Sequence, residues 1–353
     1  MYDVIVVGAG PAGATLARLL DEKFKTLVID KKRENGGFQK PCGGLLAPRA
    51  QCAIAELEDT LPKDVLVDPQ IFAVETIDLK TGKTRYYPRE YVNMDRHKFD
   101  LWLKSKIGKN ADVEYGVVTS VKKIENGYEV AWSDEFGEVK KTQGKFLVGA
   151  DGANSIVRKF IKPTHKCRRY MSIQQWFENE NGRDFYACVF DRENTDCYSW
   201  ALTKDGKFIF GGAYPEKDAR AAFERQKEKL TAHGWRFGEP IKTEACFVLR
   251  PKKGSEFCFG EDGVFLIGEA AGLVSPSGLE GISSALLSGR YLAGAFNEGG
   301  FEQKTVRKKY LKKVKKIKRK LLLKLIKCIP MYNPLCRKLV MWSGLTSIDI
   351  YKK

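Results

Sequence analysis

The amino-acid sequence predicts an α/β protein, a parallel-sheet domain interrupted by a sheet-rich insertion and followed by a helical tail. Three observations lead there. A β-branched run at residues 3–7 passes through closely spaced glycines into a helical stretch at Ala14–Leu20. Alternating strand-like runs fill residues 168–250, after which a buried-type strand, Val264–Ile267, returns. From Gln303 onward the chain becomes strongly basic and takes on helical periodicity.

The 353 residues suffice for one large α/β unit or two domains sharing an interface. With 43% hydrophobic and 30% charged residues, the chain should bury a core rather than stay disordered. The net charge of +17 is local: Gln303–Lys353 carries 17 Lys and Arg against one acid, Asp349. The first 302 residues hold 44 basic and 43 acidic side chains, so the body is electrically ordinary. Nine cysteines occur with no C-x-x-C pair, and three histidines supply no zinc-ligand spacing, so no metal is expected. The odd cysteine count and the lack of a signal-like segment point to a cytoplasmic, reducing setting. Cys188, Cys197, Cys246 and Cys258 lie in strand-like sequence and read as core residues. No apolar run approaches the ~20 residues that span a bilayer, so an integral membrane protein is not expected.

Asp3–Val7 reads as a buried parallel strand, and a second strand, Thr26–Ile29, ends at Asp30. Residues 31–49 read as an extended loop, and 71–87 as strands around Thr81-Gly82-Lys83. Asp95 is placed to cap a helix over 95–107. Strands at 113–124 and 127–133 meet at Asn126-Gly127, and Phe146–Val148 is another buried strand. Within the insertion, Phe185–Phe190, Tyr198–Thr203 and Lys207–Phe210 alternate, with a helix at about 217–233. A further helix spans about 279–296. The implied domains are 1–70, 92–165 and 255–300 for the first, 71–91 and 166–254 for the second, and 301–353 for the tail.

Gly8-x-Gly10-x-x-Gly13 joins the first strand to the first helix. The first glycine permits a tight turn, the second lets backbone approach a pyrophosphate, and the third lets helix pack closely on strand. The helix opened by Pro11 and Ala12 turns its positive end toward the phosphates. Asp30, followed by Lys31, is placed to accept hydrogen bonds from an adenosine ribose. This is a Rossmann-like dinucleotide site, and alone it does not separate FAD from NAD.

Two further segments do. Phe146–Ser155 with Arg158, containing Asp151-Gly152, resembles the Asp-Gly motif of flavoproteins of the para-hydroxybenzoate hydroxylase fold. Phe265–Gly272, containing Gly268-Glu269 and Gly272, resembles their Gly-Asp motif, with Glu in place of Asp. Gly278-Leu279-Glu280-Gly281-Ile282 resembles their glycine-containing helix start, whose positive end faces the flavin. Asp95-Arg96-x-x-Phe99-Asp100 resembles the segment that sets an arginine near the flavin phosphates, and Val118 falls where backbone meets adenine. The resemblance implies a Rossmann-like FAD-binding domain and these residues as its cofactor contacts. Lys40-Pro41-Cys42-Gly43-Gly44 resembles the cysteine-glycine loop that lies close to the flavin in the geranylgeranyl reductase family. Tyr198-Ser199-Trp200-Ala201-Leu202 resembles that family's substrate-cavity motif, with Leu202 and Thr203 in place of Phe and Pro.

That branch implies reduction of C=C bonds in an isoprenoid or other lipid-like substrate, with electrons from NADPH or a ferredoxin-type carrier. Such chemistry needs flavin hydride, a proton and a dry apolar pocket. Cys42 is a candidate proton donor, and Tyr198 and Trp200, two apart on a strand, a candidate wall. A hydroxylase and a non-enzymatic, membrane-associated redox flavoprotein are the alternatives. Halogenation is disfavoured, because residues 198–203 lack the first Trp and the Pro of the halogenase motif. In the tail, Val306, Tyr310, Val314, Ile317, Leu321 and Leu325 recur at spacings of three and four amid lysines. The expectation is a helix whose apolar stripe meets an anionic membrane through residues 303–342, at the inner face of the membrane. Nucleic acid is not expected, since no groove-reading motif accompanies the charge.

Overall fold

The computed structural model describes residues 1–31, 39–182 and 186–350. Phe185, part of the 31–49 loop and the last three residues therefore lie outside the described residues. The fold is mixed α/β, as the sequence predicts, with two eight-stranded sheets among these residues.

The first sheet centres on Tyr2–Val7, whose β-branched side chains suit a strand covered on both faces. It pairs in parallel with Thr26–Asp30 on one side and with Val139–Gly149 on the other, Val4 standing opposite both Thr26 and Phe146. Val264–Leu266 extends the sheet beyond Val139–Gly149, and Ala111–Tyr115 extends it beyond Thr26–Asp30. Phe146 and Phe265 each meet Phe296 edge to face beneath it, Phe146 at 5.1 Å. The strand expected at 113–124 is broken at Gly116. Any Cβ there would lie 2.5 Å from the Ser133 carbonyl. Ala111–Tyr115 accordingly joins the parallel sheet while Val117–Ile124 forms a hairpin with Gly127–Ser133.

The second sheet runs Lys242–Leu249, Arg169–Glu178, Lys207–Pro215, Tyr198–Lys204, Tyr186–Phe190, Ile71–Asp78, Lys83–Asn93 and Leu45–Leu46. The two-residue period sorts its side chains. Ala187, Val189, Ala201, Phe208 and Phe210 face the helix Ala219–Ala232, where Phe223 stacks on Phe210 at 5.4 Å. Tyr186, Cys188, Tyr198, Trp200 and Leu202 turn the other way.

The helix expected at 279 begins at Ile282, since Leu279 holds a left-handed φ of +52° and the flanking glycines keep the chain in a turn. The tail departs most from expectation. Its long helix, Gln303–Tyr332, buries Val306, Tyr310, Val314, Ile317 and Leu321 against the first sheet's helices, so this stripe is not offered to a membrane. Tyr310 donates to the Leu266 carbonyl at 2.7 Å. The helix continues through Pro330, and Pro334 opens a terminal helix, Pro334–Ser343. Arg337 there meets Asp78 of the second sheet at 2.9 Å, both side chains buried. No helix among the described residues is long and apolar enough to cross a membrane.

Candidate functional site

A cavity of about 690 Å³ lies where the two sheets face one another. Its first end is the turn after Tyr2–Val7. Gly8 has φ +98°, and a Cβ on it would lie 2.6 Å from the Ala150 carbonyl. A Cβ at Gly13 would overlap the Gly8 carbonyl, so this glycine serves helix-on-strand packing and does not line the cavity. At Gly10 nothing lies within 4 Å of a Cβ, and the cavity opens there before the helix Pro11–Leu19. Pro11 and Ala12 line the same end, with Asp30, Lys31 and Val118. Asp30 is buried, and its Oδ2 meets Lys104 Nζ at 3.2 Å.

The middle is built by two loops that one arginine ties together. Arg158 donates to the Ala270 carbonyl at 2.8 Å and to the Ala153 carbonyl. Asp151 Oδ2 accepts from Ile156 N at 2.7 Å, at the start of the short helix Ile156–Ile161 that Ser155 caps, and burial pushes the Asp151 carboxyl above the ordinary range. Gly152 has φ +76° and lines the cavity beside Gly268 and Glu269. Gly272, at φ +78°, ends the turn Gly268–Ala271 and stands outside the lining. The extra methylene of Glu269 has a visible use: Oε1 accepts from Leu249 N of the second sheet at 3.0 Å, and Oε2 pairs with Lys40. Burial works against the Lys40 charge, but the Glu269 carboxylate prevails and holds its pKa above the usual lysine value. Gly281 and Ile282 open the helix that points its N-terminus into the cavity.

The far end is aromatic. Tyr91, Tyr186, Tyr198 and Trp200 line it. Tyr91 and Tyr186 meet edge to face at 5.6 Å. Tyr198 donates to the Gly278 carbonyl at 3.0 Å and Trp200 Nε1 to Gln174 at 3.1 Å, so their polar atoms are satisfied. The loop Cys42-Gly43-Gly44 lines the same cavity, and a Cβ on Gly43 would lie 3.5 Å from the Trp200 ring. Cys42 Sγ accepts from Gly44 N at 3.3 Å, and the partly buried Arg96 guanidinium, held to Asp100 at 3.0 Å, reaches the same thiol.

Sequence reasoning missed the cation that anchors this loop. Lys204, buried, donates to Met94 O at 2.6 Å, Asn93 Oδ1 at 2.7 Å and Gly44 O at 3.4 Å. Burial pushes its pKa down to about 8. A lysine ending an apolar strand was its only signal. Tyr91 and Tyr186 were also unmarked, and Lys40 carried no role beyond opening the Cys42 loop motif. Cys188 and Cys246, expected in the core, are half-buried, Cys246 lining the cavity, while Cys197 and Cys258 are buried as expected. Among the described residues, no group of His, Cys, Asp and Glu is arranged to hold a metal ion.

The arrangement of two sheets over a glycine turn is shared with solved flavin-dependent and FAD-bound proteins. Residues 6–38 match the NAD(P)-binding Rossmann-like domain. A solved geranylgeranyl bacteriochlorophyll reductase-like protein from Thermoplasma acidophilum superposes with a TM-score of 0.74 at 19% identity, covering 96% of this chain and 98% of that one. The p-nitrophenol 4-monooxygenase of Pseudomonas putida gives 0.72 at 16% identity over 97% and 93%. Klebsiella pneumoniae HpxO, solved with FAD and uric acid, gives 0.66 at 14% over 97% and 92%. These likenesses define the fold. The chain itself belongs to the family of Protein CbrA: it is 43% identical to the Escherichia coli O157:H7 member over 354 residues, covering 99% of each.

Proposed function

We propose that the cavity holds FAD and that the protein is an oxidoreductase reducing C=C bonds of an isoprenoid or other lipid-like substrate. The observation that carries this reading is one cavity lined by the glycine turn and two helix N-termini, by Tyr91, Tyr186, Tyr198 and Trp200, and by Cys42. The residues fit the cofactor: Gly10 leaves space for a pyrophosphate, two helix N-termini point inward, and Asp30 and Val118 stand at the end suited to adenosine.

When bound and reduced, FAD would supply the hydride for one alkene carbon, leaving the second carbon in need of a proton. Cys42 is the donor in this account. Its thiolate, once the proton has left, is met by the Gly44 N–H and the Arg96 guanidinium. Tyr91, Tyr186, Tyr198 and Trp200 line the cavity with apolar ring surface, which disfavours water beside the chain. NADPH or a ferredoxin-type carrier restores the electrons. Mass spectrometry of small molecules released from the purified, denatured protein tests the assignment. FAD together with a long-chain lipid is the expected result, and FAD with a polar aromatic ligand would favour a hydroxylase instead.

A further inference from the structure

The basic tail buries one apolar stripe on the body, yet it keeps a second outside. Leu323, Ile326 and Ile329 on the long helix, and Leu335, Leu339 and Trp342 on the terminal helix, are each 64% exposed or more. Their spacings of three, and of four and three, put each set on one face of its helix. Residues buried by the body, Leu321 on the first helix and Arg337 and Met341 on the second, lie on other faces. Large apolar side chains at this density on a protein surface mark an interaction site. Arg319, Lys320, Lys327 and Lys338 are exposed around them, and between Gln303 and Ile348 there is no acid.

We propose that this second face, and not the buried stripe, docks on an anionic lipid bilayer. Charge decides the occupant. A second copy of the chain would set lysine against lysine, whereas a bilayer with anionic headgroups takes both the apolar side chains and the cations around them. The same stretch borders the cavity. Lys324 lines it and meets Glu280 at 3.2 Å, with Leu323 and Ile326 on the outer side of that helical turn. Tyr332 donates to the Ser277 carbonyl at 2.6 Å, fixing the helix end over the loop that leads to Gly278 and Leu279. Resting on the lipid-substrate reading above, docking would set the bilayer beside the cavity that takes the lipid chain.

Flotation of the flavin-loaded, full-length protein tests this, with vesicles of equal parts phosphatidylethanolamine and phosphatidylglycerol against phosphatidylcholine alone. The protein should float with the anionic vesicles, less as salt rises. The triple variant Ile326→Ser, Leu339→Ser, Trp342→Ser should lose roughly tenfold or more in partitioning while keeping its flavin and unfolding midpoint. Wild-type protein that stays at the bottom, or a triple variant that floats equally well, overturns docking. A dimer that the triple variant returns to monomer, seen by light scattering, gives the face to a second copy and also overturns it. Flotation that holds while no alkenyl lipid is reduced in vesicles or in detergent keeps the docking face and sinks the substrate reading alone.

Discussion

Gly10 and Gly13 sit three residues apart in one motif and answer to different constraints. A side chain at Gly13 has nowhere to go but the Gly8 carbonyl, while one at Gly10 enters the cavity. Gly13→Val should therefore cost stability, by about 2 kcal/mol or more in urea unfolding. Gly10→Val should leave the unfolding midpoint nearly unchanged and abolish flavin retention, read as bound-flavin absorbance per protein. Equal loss of stability in both variants would contradict this division. At the other end of the cavity, Cys42→Ala should keep the flavin and lower the turnover number by about 10²-fold or more, the typical worth of a positioned proton donor. Cys246→Ala, which removes a cavity-lining thiol with no role in the account, should leave turnover within a factor of about two. The Lys40–Glu269 pair belongs to the same scale. Lys40→Met leaves a largely buried carboxylate without its cation, and should destabilise by about 1–3 kcal/mol.

The two elements that matter most for the site are the strand ending at Lys204 and the helical tail. Lys204 loses solvation in the fold, so its charged form is disfavoured there relative to the unfolded chain. Its folded pKa is about 8, against ~10.4 in an unfolded chain. The cost of charging it is fully present below the folded value and disappears as pH rises through the unfolded one, so its contribution to stability grows over that window. Between these limits the unfolding free energy of wild type should rise relative to Lys204→Met by about 3 kcal/mol. A pH-independent difference would contradict the burial argument. The tail is fastened to the second sheet by a buried ion pair, and Arg337→Met should cost about 3 kcal/mol by leaving Asp78 uncompensated. A free, membrane-lying tail would make that substitution nearly neutral.

Over the whole molecule, the features legible in the sequence are those with short-range causes. The strand–turn–helix at Gly8–Gly13, the Asp95 cap and the period-two sorting of Tyr198 and Trp200 each depend on neighbours within a few residues, and each stands in the structure as read. What was misread depends on distant partners. The stripe from Val306 to Leu321 has the same periodicity whether it meets lipid or the first sheet's helices, and periodicity does not name the partner. Lys204 and Lys40 draw their roles from Gly44 and Glu269, 160 and 229 residues away. The central claim is that these parts converge on alkene reduction, and anaerobic turnover tests it most directly. Dithionite-reduced, FAD-loaded protein is mixed with a prenyl-chain lipid without oxygen, and the products are weighed by mass spectrometry. Reoxidised flavin, and lipid that has gained two hydrogens per double bond, are the expected result. Flavin that stays reduced until oxygen is admitted, with an oxygenated product then appearing, would contradict it.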